Sequence, residues 1–439
     1  MINKIKTISK ESGFLRYFQN TSWLLVEKVI RLVVALSIGV WVTRYLGPEQ
    51  FGILSYAQSF VAIFGAFSTL GLTDILMREL VKSEERKNLL IGTSFWLQML
   101  GSLFIMLCIA IAIYVNDNDP LTNKIIVILG MVTFINSFGV ITAYFYSIVK
   151  SSYIVIPSLI GLVLSSALKI YFILTEAQLL YFVYLLAFDM VFLTTGQIWY
   201  YFREGNSIFN WRFSWQIAKS LLNDSWPLVL SAIVISIYMK IDQVMIQELL
   251  GNTAVGIYST AVVLSEAWYF IPMIICSSLF PAIVNAKTKS NDLYMQRLQR
   301  LYDLMAALGF SIVFPVILFS DWGINFLYGD AFALAAPVLN IHIWAGVFVF
   351  LGVANQKWFI SENLQAYNIL CLGLGMIANV VLNTLMIPKF GILGAAYATL
   401  ISQFIASVLA PVFFKKTRMS FFMMLESLLF ISTFKKLLR

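Results

Sequence analysis

Residues 89–114 read LLIGTSFWLQMLGSLFIMLCIAIAIY, 26 positions without one charged side chain. A helix that crosses the hydrocarbon core of a bilayer needs about 20 mostly apolar residues. Runs of the same kind lie on either side of this one. They fall near 22–44, 51–74, 125–148, 153–175 and 179–200, then near 225–247, 254–284, 301–320, 335–356, 367–387 and 391–413. Twelve spans of about 22 residues occupy about 264 positions, which agrees with a chain of 439 residues that is 60% hydrophobic. Only 12% of the residues are charged, about half the ~25% of a soluble domain, and mean hydropathy is +0.84. The sequence therefore predicts an all-α polytopic membrane protein of about 12 transmembrane helices. No sizeable extramembrane domain fits in what remains. The stretch 420–434 is apolar but too short to span, and reads as an interfacial segment.

The net charge of +8 could suggest nucleic acid, but its distribution gives another account. Alternate connections collect 23 of the 30 basic residues, among them Arg78, Lys82, Arg86, Lys87, Lys150, Arg203, Arg212, Lys287 and Lys357. The opposite connections hold only Lys124 and Lys389. By the positive-inside rule both termini are expected in the cytoplasm, and no nucleic-acid partner is needed. The amino terminus does not read as a cleavable signal, because its first apolar run is interrupted by Glu27, Lys28 and Arg31. Three scattered cysteines, Cys108, Cys276 and Cys371, suit neither a disulfide framework nor a zinc site. His342 is the one histidine, and reads as a packing residue.

The chain also repeats itself. Ser22-Trp23-Leu24-Leu25-Val26 opens the first span and Ser225-Trp226-Pro227-Leu228-Val229 the seventh. Leu46-Gly47 and Gly52-Ile53 then recur as Leu250-Gly251 and Gly256-Ile257, offset by 204 residues. Six spans separate the copies, so both run in the same direction. Two six-helix lobes related by a pseudo-two-fold, with a central cavity, are expected. The corresponding divisions are an amino-terminal lobe at 1–200, a cytoplasmic linker at 201–224, a carboxyl-terminal lobe at 225–413 and a cytoplasmic basic, amphipathic tail at 414–439. Phe390-Gly391-Ile392-Leu393 repeats the turn Phe51-Gly52-Ile53-Leu54 once more before the twelfth span.

Ionisable residues inside such spans are expensive and usually face the bundle interior or water. Glu27 and Arg31 are four apart on the first span and can pair on one face, with Lys28 beside them. Lys240 and Asp242 point about 200° apart on the seventh span. Lys169, Asp189 and Glu266 complete the set. Surplus positive charge in a cavity suits an anion such as a phosphate or diphosphate, so Lys28, Arg31 and Lys240 are candidate substrate contacts. Glu27, Asp242, Glu266, Lys169 and Asp189 are candidates for ion coupling or for structural pairing that holds helices in register. Asn285, Gln356, Asn379 and Asn383 read as polar glue between helices.

With these features the chain resembles the Wzx-type polysaccharide flippases of the multidrug/oligosaccharidyl-lipid/polysaccharide transporter superfamily. The likeness rests on Ser22–Ser55 with its turn at 43–52, on Lys240-Ile241-Asp242-Gln243-Val244-Met245 and Gly256-Ile257-Tyr258, and on Leu279-Phe280-Pro281-Ala282. Tyr328-Gly329-Asp330-Ala331-Phe332 and the run Gly391–Thr399 add to it. The resemblance implies two lobes around a cationic cavity in the bacterial cytoplasmic membrane. It also implies export of undecaprenyl-diphosphate-linked oligosaccharide (O-antigen or exopolysaccharide) repeat units to the outer leaflet by alternating access. Membrane lipid and the lipid-linked glycan are the implied partners, with a polysaccharide polymerase and chain-length machinery as candidates. No cofactor is expected beyond H⁺ or Na⁺ coupling. A drug or organic-cation antiporter of the same superfamily is the main alternative, although such a cavity would want carboxylates and aromatics to lead. A membrane enzyme is disfavoured, since no nucleophile–base pairing, metal spacing or phosphate loop is present.

Overall fold

The computed structural model describes residues 12–115 and 118–430. The parts of the expected amino-terminal lobe at 1–11 and 116–117, and of the expected interfacial segment and tail at 431–439, lie outside them. Every regular element among the described residues is helical: α1 Ser12–Val34, α2 Val40–Thr69, α3 Leu72–Lys82, α4 Lys87–Val115, α5 Pro120–Asn136, α6 Val140–Ser147, α7 Ser152–Leu174 and α8 Leu179–Arg203. There follow α9 Trp215–Leu250, α10 Asn252–Glu266, α11 Phe270–Lys287, α12 Asn291–Tyr328, α13 Ala335–Ser361, α14 Gln365–Phe390, α15 Ile392–Phe404 and α16 Arg418–Leu428. Ten helical stretches among the described residues are long and apolar enough to cross a membrane, and they coincide one to one with the third to twelfth expected spans. The first two expected spans fall on α1 and α2, outside those ten. The molecule is an all-α, multi-pass membrane protein.

Helix α4 shows why these sequences suit lipid. Leu97, Gly101, Ser102, Ile105 and Ile109 are buried on one side, while Leu100, Leu103, Leu107 and Ile111 are each more than half exposed on the other. The small Gly101 and Ser102 sit among the buried residues and the exposed face is wholly apolar at these positions, the arrangement expected when the solvent is hydrocarbon. Ser102 Oγ donates to the Thr133 carbonyl at 2.9 Å, tying α4 to α5 with a bond that lipid would not supply.

The chain divides into two compact units. One comprises the described part of Met1–Leu46 together with Ala57–Ser236, the other Gly47–Tyr56 together with the described part of Ile237–Arg439. The first unit has a core of Leu76, Leu80, Ile91, Ile141, Phe145 and Tyr201 among others, drawn from α3, α4, α6 and α8. Within it Arg212, in the stretch expected to be a linker, donates its backbone N–H to the Asn88 carbonyl. Its backbone lies so close to Gly92 that a methyl there would collide with it. The second unit packs Leu298, Tyr302, Met305, Phe350, Trp358 and Cys371 into one cluster that also takes in Met424 of α16. Helix α16, in the segment expected to be interfacial, is too short to span and is docked on α12. Gln299 Nε2 donates to the Met423 carbonyl at 3.0 Å, and Ser427 Oγ donates to Asp303 at 2.8 Å.

The repeated turn has a backbone reason. Gly47 has φ 69° and ψ 173°, and Gly251 has φ 83° and ψ −179°, a region open essentially to glycine alone. The second glycine of each copy is a crossing point inside the second unit. A Cβ on Gly52 would lie 2.7 Å from the carbonyl carbon of Asn252, and one on Gly256 would lie 2.8 Å from that of Pro48. Pro48 and Asn252, like Gly52 and Gly256, are 204 positions apart, so the contact maps onto itself under the repeat. The two copies of the turn meet each other reciprocally, as a local two-fold requires.

Candidate functional site

In the first unit, α1, α7 and α8 gather four of the expected residues. Arg31 Nη2 lies 2.9 Å from Glu27 Oε1 and donates to Ser158 Oγ at 2.6 Å, and Ser158 Oγ donates in turn to Glu27. A guanidinium carries five donors, and about half of this side chain is exposed, so it can still receive an anion while Glu27 and Ser158 fix its direction. Arg31, Ser158, Gly161 and Asp189 line a cavity of about 360 Å³. Lys169 Nζ lies 3.9 Å from Asp189 Oδ2, and Asp189 Oδ1 is buried without a hydrogen-bond partner. Lys28 is exposed on α1.

In the second unit, Asp242 is 5% exposed and is held by three other helices. Tyr258 Oη of α10 donates to its Oδ2 at 2.8 Å, and Thr399 Oγ1 of α15 donates to the same oxygen. Asn383 Nδ2 of α14 donates to Oδ1 at 2.6 Å. All three neighbours present donor groups to this carboxyl group. Asn383 sits one turn after Asn379, whose Oδ1 accepts from it at 3.1 Å. The Asn383 side-chain oxygen itself is buried without a partner. A cavity of about 350 Å³ opens beside this cluster, lined by Asp242, Tyr258, Glu266, His342 and Thr399 among others. His342 is 3% exposed and lies 2.9 Å from Ser265 Oγ through Nδ1, so it packs as expected yet borders the same cavity. Lys240 is half-buried on α9.

The structure thus brings Glu27 together with Arg31, Lys169 with Asp189, and Asp242 with Glu266 around one cavity. Asn285 and Gln356 are exposed, unlike Asn379 and Asn383. Sequence reasoning did not single out Tyr258, Asn383 and Thr399 as partners of Asp242. The available signal was the Asn379/Asn383 pair, four apart on one face of an apolar span.

This arrangement has known relatives. A profile of the family described as "Polysaccharide biosynthesis protein" matches residues 17–287. The chain belongs to that family. Over 205 residues it is 28% identical to a Haloferax volcanii protein named "Probable low-salt glycan biosynthesis flippase Agl15", a match covering 45% of this chain and 42% of that protein. The chain thus spans about two fifths of that relative's length. Among solved structures, its fold is similar to an inward-facing multidrug resistance MATE family transporter of the MOP superfamily. The TM-score is 0.70 at 14% identity, over 94% of this chain and 99% of the other. It is also similar to the lipid II flippase MurJ in an inward closed conformation, with TM-score 0.62 at 14% identity over 94% and 91% of the two chains. At that identity the likeness is one of fold. The family places the chain among membrane proteins of polysaccharide biosynthesis, and the flippase name is that of a transporter, not of an enzyme.

Proposed function

We propose that this protein is a flippase that moves a polyprenyl-diphosphate-linked oligosaccharide repeat unit from the cytoplasmic to the outer leaflet of the cytoplasmic membrane. The observation that carries this reading is its membership of the polysaccharide biosynthesis family, joined to an Arg31 guanidinium held at the wall of a membrane-embedded cavity. The lipid carrier suggested by the sequence resemblance is undecaprenyl diphosphate, and the movement is alternating access. In the proposed mechanism Arg31 meets the diphosphate by charge-assisted hydrogen bonds, helped by Lys28 and Lys240. The polyprenyl tail remains in lipid. Polymerase and chain-length proteins would receive the unit at the outer face.

Transport against a gradient needs coupling, and Asp242 is the residue proposed to supply it. A buried carboxylate is costly unless compensated, and among the described residues no ion pair compensates this one. A carboxyl group, two hydroxyls and the unpartnered amide oxygen of Asn383 form a hard-oxygen donor set, suited to a proton or a Na⁺ ion.

The multidrug MATE likeness favours a second reading, an organic-cation antiporter, which would use the same carboxylates. The two separate in cells. Deletion of the gene is expected to leave lipid-linked repeat units on the cytoplasmic leaflet and to remove surface glycan without changing dye efflux. Arg31→Ala should lower surface glycan. Normal surface glycan in a deletion strain that lacks a paralogue would refute the flippase reading, and loss of dye efflux would support the antiporter.

A further inference from the structure

The first unit has a second cavity besides the one that Arg31 lines. It shares Met190 and Leu193 of α8 with that cavity, has a volume of about 700 Å³, and is lined by Thr73, Gln98, Asn136, Thr142, Thr194 and Gln197 with a few apolar neighbours. No side chain in its lining carries a charge. In a chain where polar residues inside spans are scarce, five helices (α3, α4, α5, α6 and α8) send amides and hydroxyls to one place.

Two helix interruptions face the same cavity. Between α2 and α3 the chain turns through Leu70 (φ 49°) and Gly71 (φ 60°), and between α5 and α6 it tightens into a 3₁₀ turn at Ser137–Gly139. Irregular backbone at membrane depth persists only where protein buries it or where it borders a polar cavity. Here it does border one. Gln98 Nε2 reaches the Thr69 carbonyl at 3.4 Å, and Thr142 Oγ1 donates to Gln197 Oε1 at 3.0 Å. Gln98 and Gln197 are each 3% exposed and therefore fixed, whereas Asn136 is exposed to the cavity.

Met190 and Leu193 of α8 line both this cavity and the Arg31 cavity. A site with a cation and a larger site with none thus adjoin along α8. We infer that the neutral cavity is a saccharide subsite, which takes the uncharged sugar ring next to the diphosphate while Arg31 holds the diphosphate itself. A pyranose presents hydroxyl groups that both donate and accept, matching side-chain amides and threonine hydroxyls. Its C–H face suits the wall formed by Ile135, Met190 and Leu193. An acidic sugar would enter a site with no cation to neutralise it, so the subsite selects uncharged rings. This inference rests on the flippase reading and adds the class of sugar and the residues that meet it.

The test is a binding titration on the full-length protein in lipid nanodiscs. One probe is a short-chain prenyl diphosphate bearing a single N-acetylhexosamine, the second is the bare prenyl diphosphate, and the third carries a hexuronic acid instead. The wild-type protein should bind the first probe roughly tenfold tighter than the second, a gain of about 1.4 kcal/mol. Asn136→Ala and Thr73→Ala, chosen because neither side chain is fully buried, should erase most of that gain and leave the affinity for bare prenyl diphosphate as it was. If both variants keep the whole gain, or if the hexuronic acid probe binds as well as the N-acetylhexosamine probe, the subsite assignment is overturned while the flippase reading stands. If no prenyl diphosphate probe binds at all, the flippase reading itself falls and the subsite with it.

Discussion

Gly52→Ala and Gly256→Ala offer the sharpest test of the packing described here. At each position one methyl group would lie within 3.0 Å of backbone atoms of the other turn, the nearest being a carbonyl oxygen. A flexible side chain could swing away, but here the obstacle on each side is a peptide group within a helix. Overpacking a tight core costs about 1–3 kcal/mol, and backbone against backbone belongs at the upper end. For a unit of this size about 1 kcal/mol lowers the melting temperature by roughly 2–4 °C, so each variant should melt roughly 6–12 °C below wild type. Because both substitutions strain one contact, the double variant should lose clearly less than the sum. Gly39→Ala is the matched control: a Cβ there meets nothing within 4 Å, and the residue already has helical φ and ψ of −60° and −44°. Its effect should stay within about 0.5 kcal/mol. Intrinsic fluorescence of purified protein in mild detergent, followed on heating, makes the measurement. If Gly52→Ala and Gly256→Ala melt with the wild type, the reciprocal contact is not present as described. If the double loss is fully additive, the two glycines do not share one interface.

Other consequences can be checked with the same preparation. Met424→Ala removes a fully buried side chain from the cluster around Leu298 and Met305, and should cost about 2–5 kcal/mol; a neutral result would detach α16 from the bundle. Glu204, just beyond the end of α8, is held below its usual 4.5 chiefly by a hydrogen bond from Lys150 at 2.5 Å, with Tyr153 as a second donor. Its folded pKa is depressed, so its contribution to stability is present above the unfolded value and is lost as pH falls through the lower, folded one. Glu204→Gln should therefore flatten the decline of melting temperature with acidification below about pH 4.5, and an unchanged pH profile would contradict the pairing. If Na⁺ is the coupling ion, raising it to about 100 times its Kd should stabilise the protein by about 2.7 kcal/mol. Asp242→Asn should abolish that shift, and an undiminished shift in the variant would move the ion elsewhere.

The parts of this molecule that were legible in the sequence are those governed by composition over long windows. Long, predominantly apolar runs leave the chain one solution in lipid, so the third to twelfth spans could be located from composition. α1 was harder, because Glu27, Lys28 and Arg31 break its apolar run, and the structure supplies what the sequence could not: Ser158, 127 positions beyond Arg31, completes the triangle that makes those charges tolerable. The glycine turns were visible as a repeat, but the reason for the second glycine in each copy was not. A spacing of 204 says that two segments share an ancestor, and only the fold says that they touch. The candidate site divides in the same way. Asp242 stood out because a carboxylate in a span is conspicuous and Asn383 read as glue between helices, whereas Tyr258 and Thr399 passed as ordinary span residues. Their importance lies in convergence from three helices on one oxygen pair, and convergence carries no local signal. The neutral cavity is the extreme case. Threonine, asparagine and glutamine singly are unremarkable in a membrane helix, and their grouping around a broken backbone exists only in three dimensions. Charge could therefore be read as marking where an anion binds, while the larger surface that would recognise the sugar is built from residues whose individual free energies of insertion are too small to draw notice.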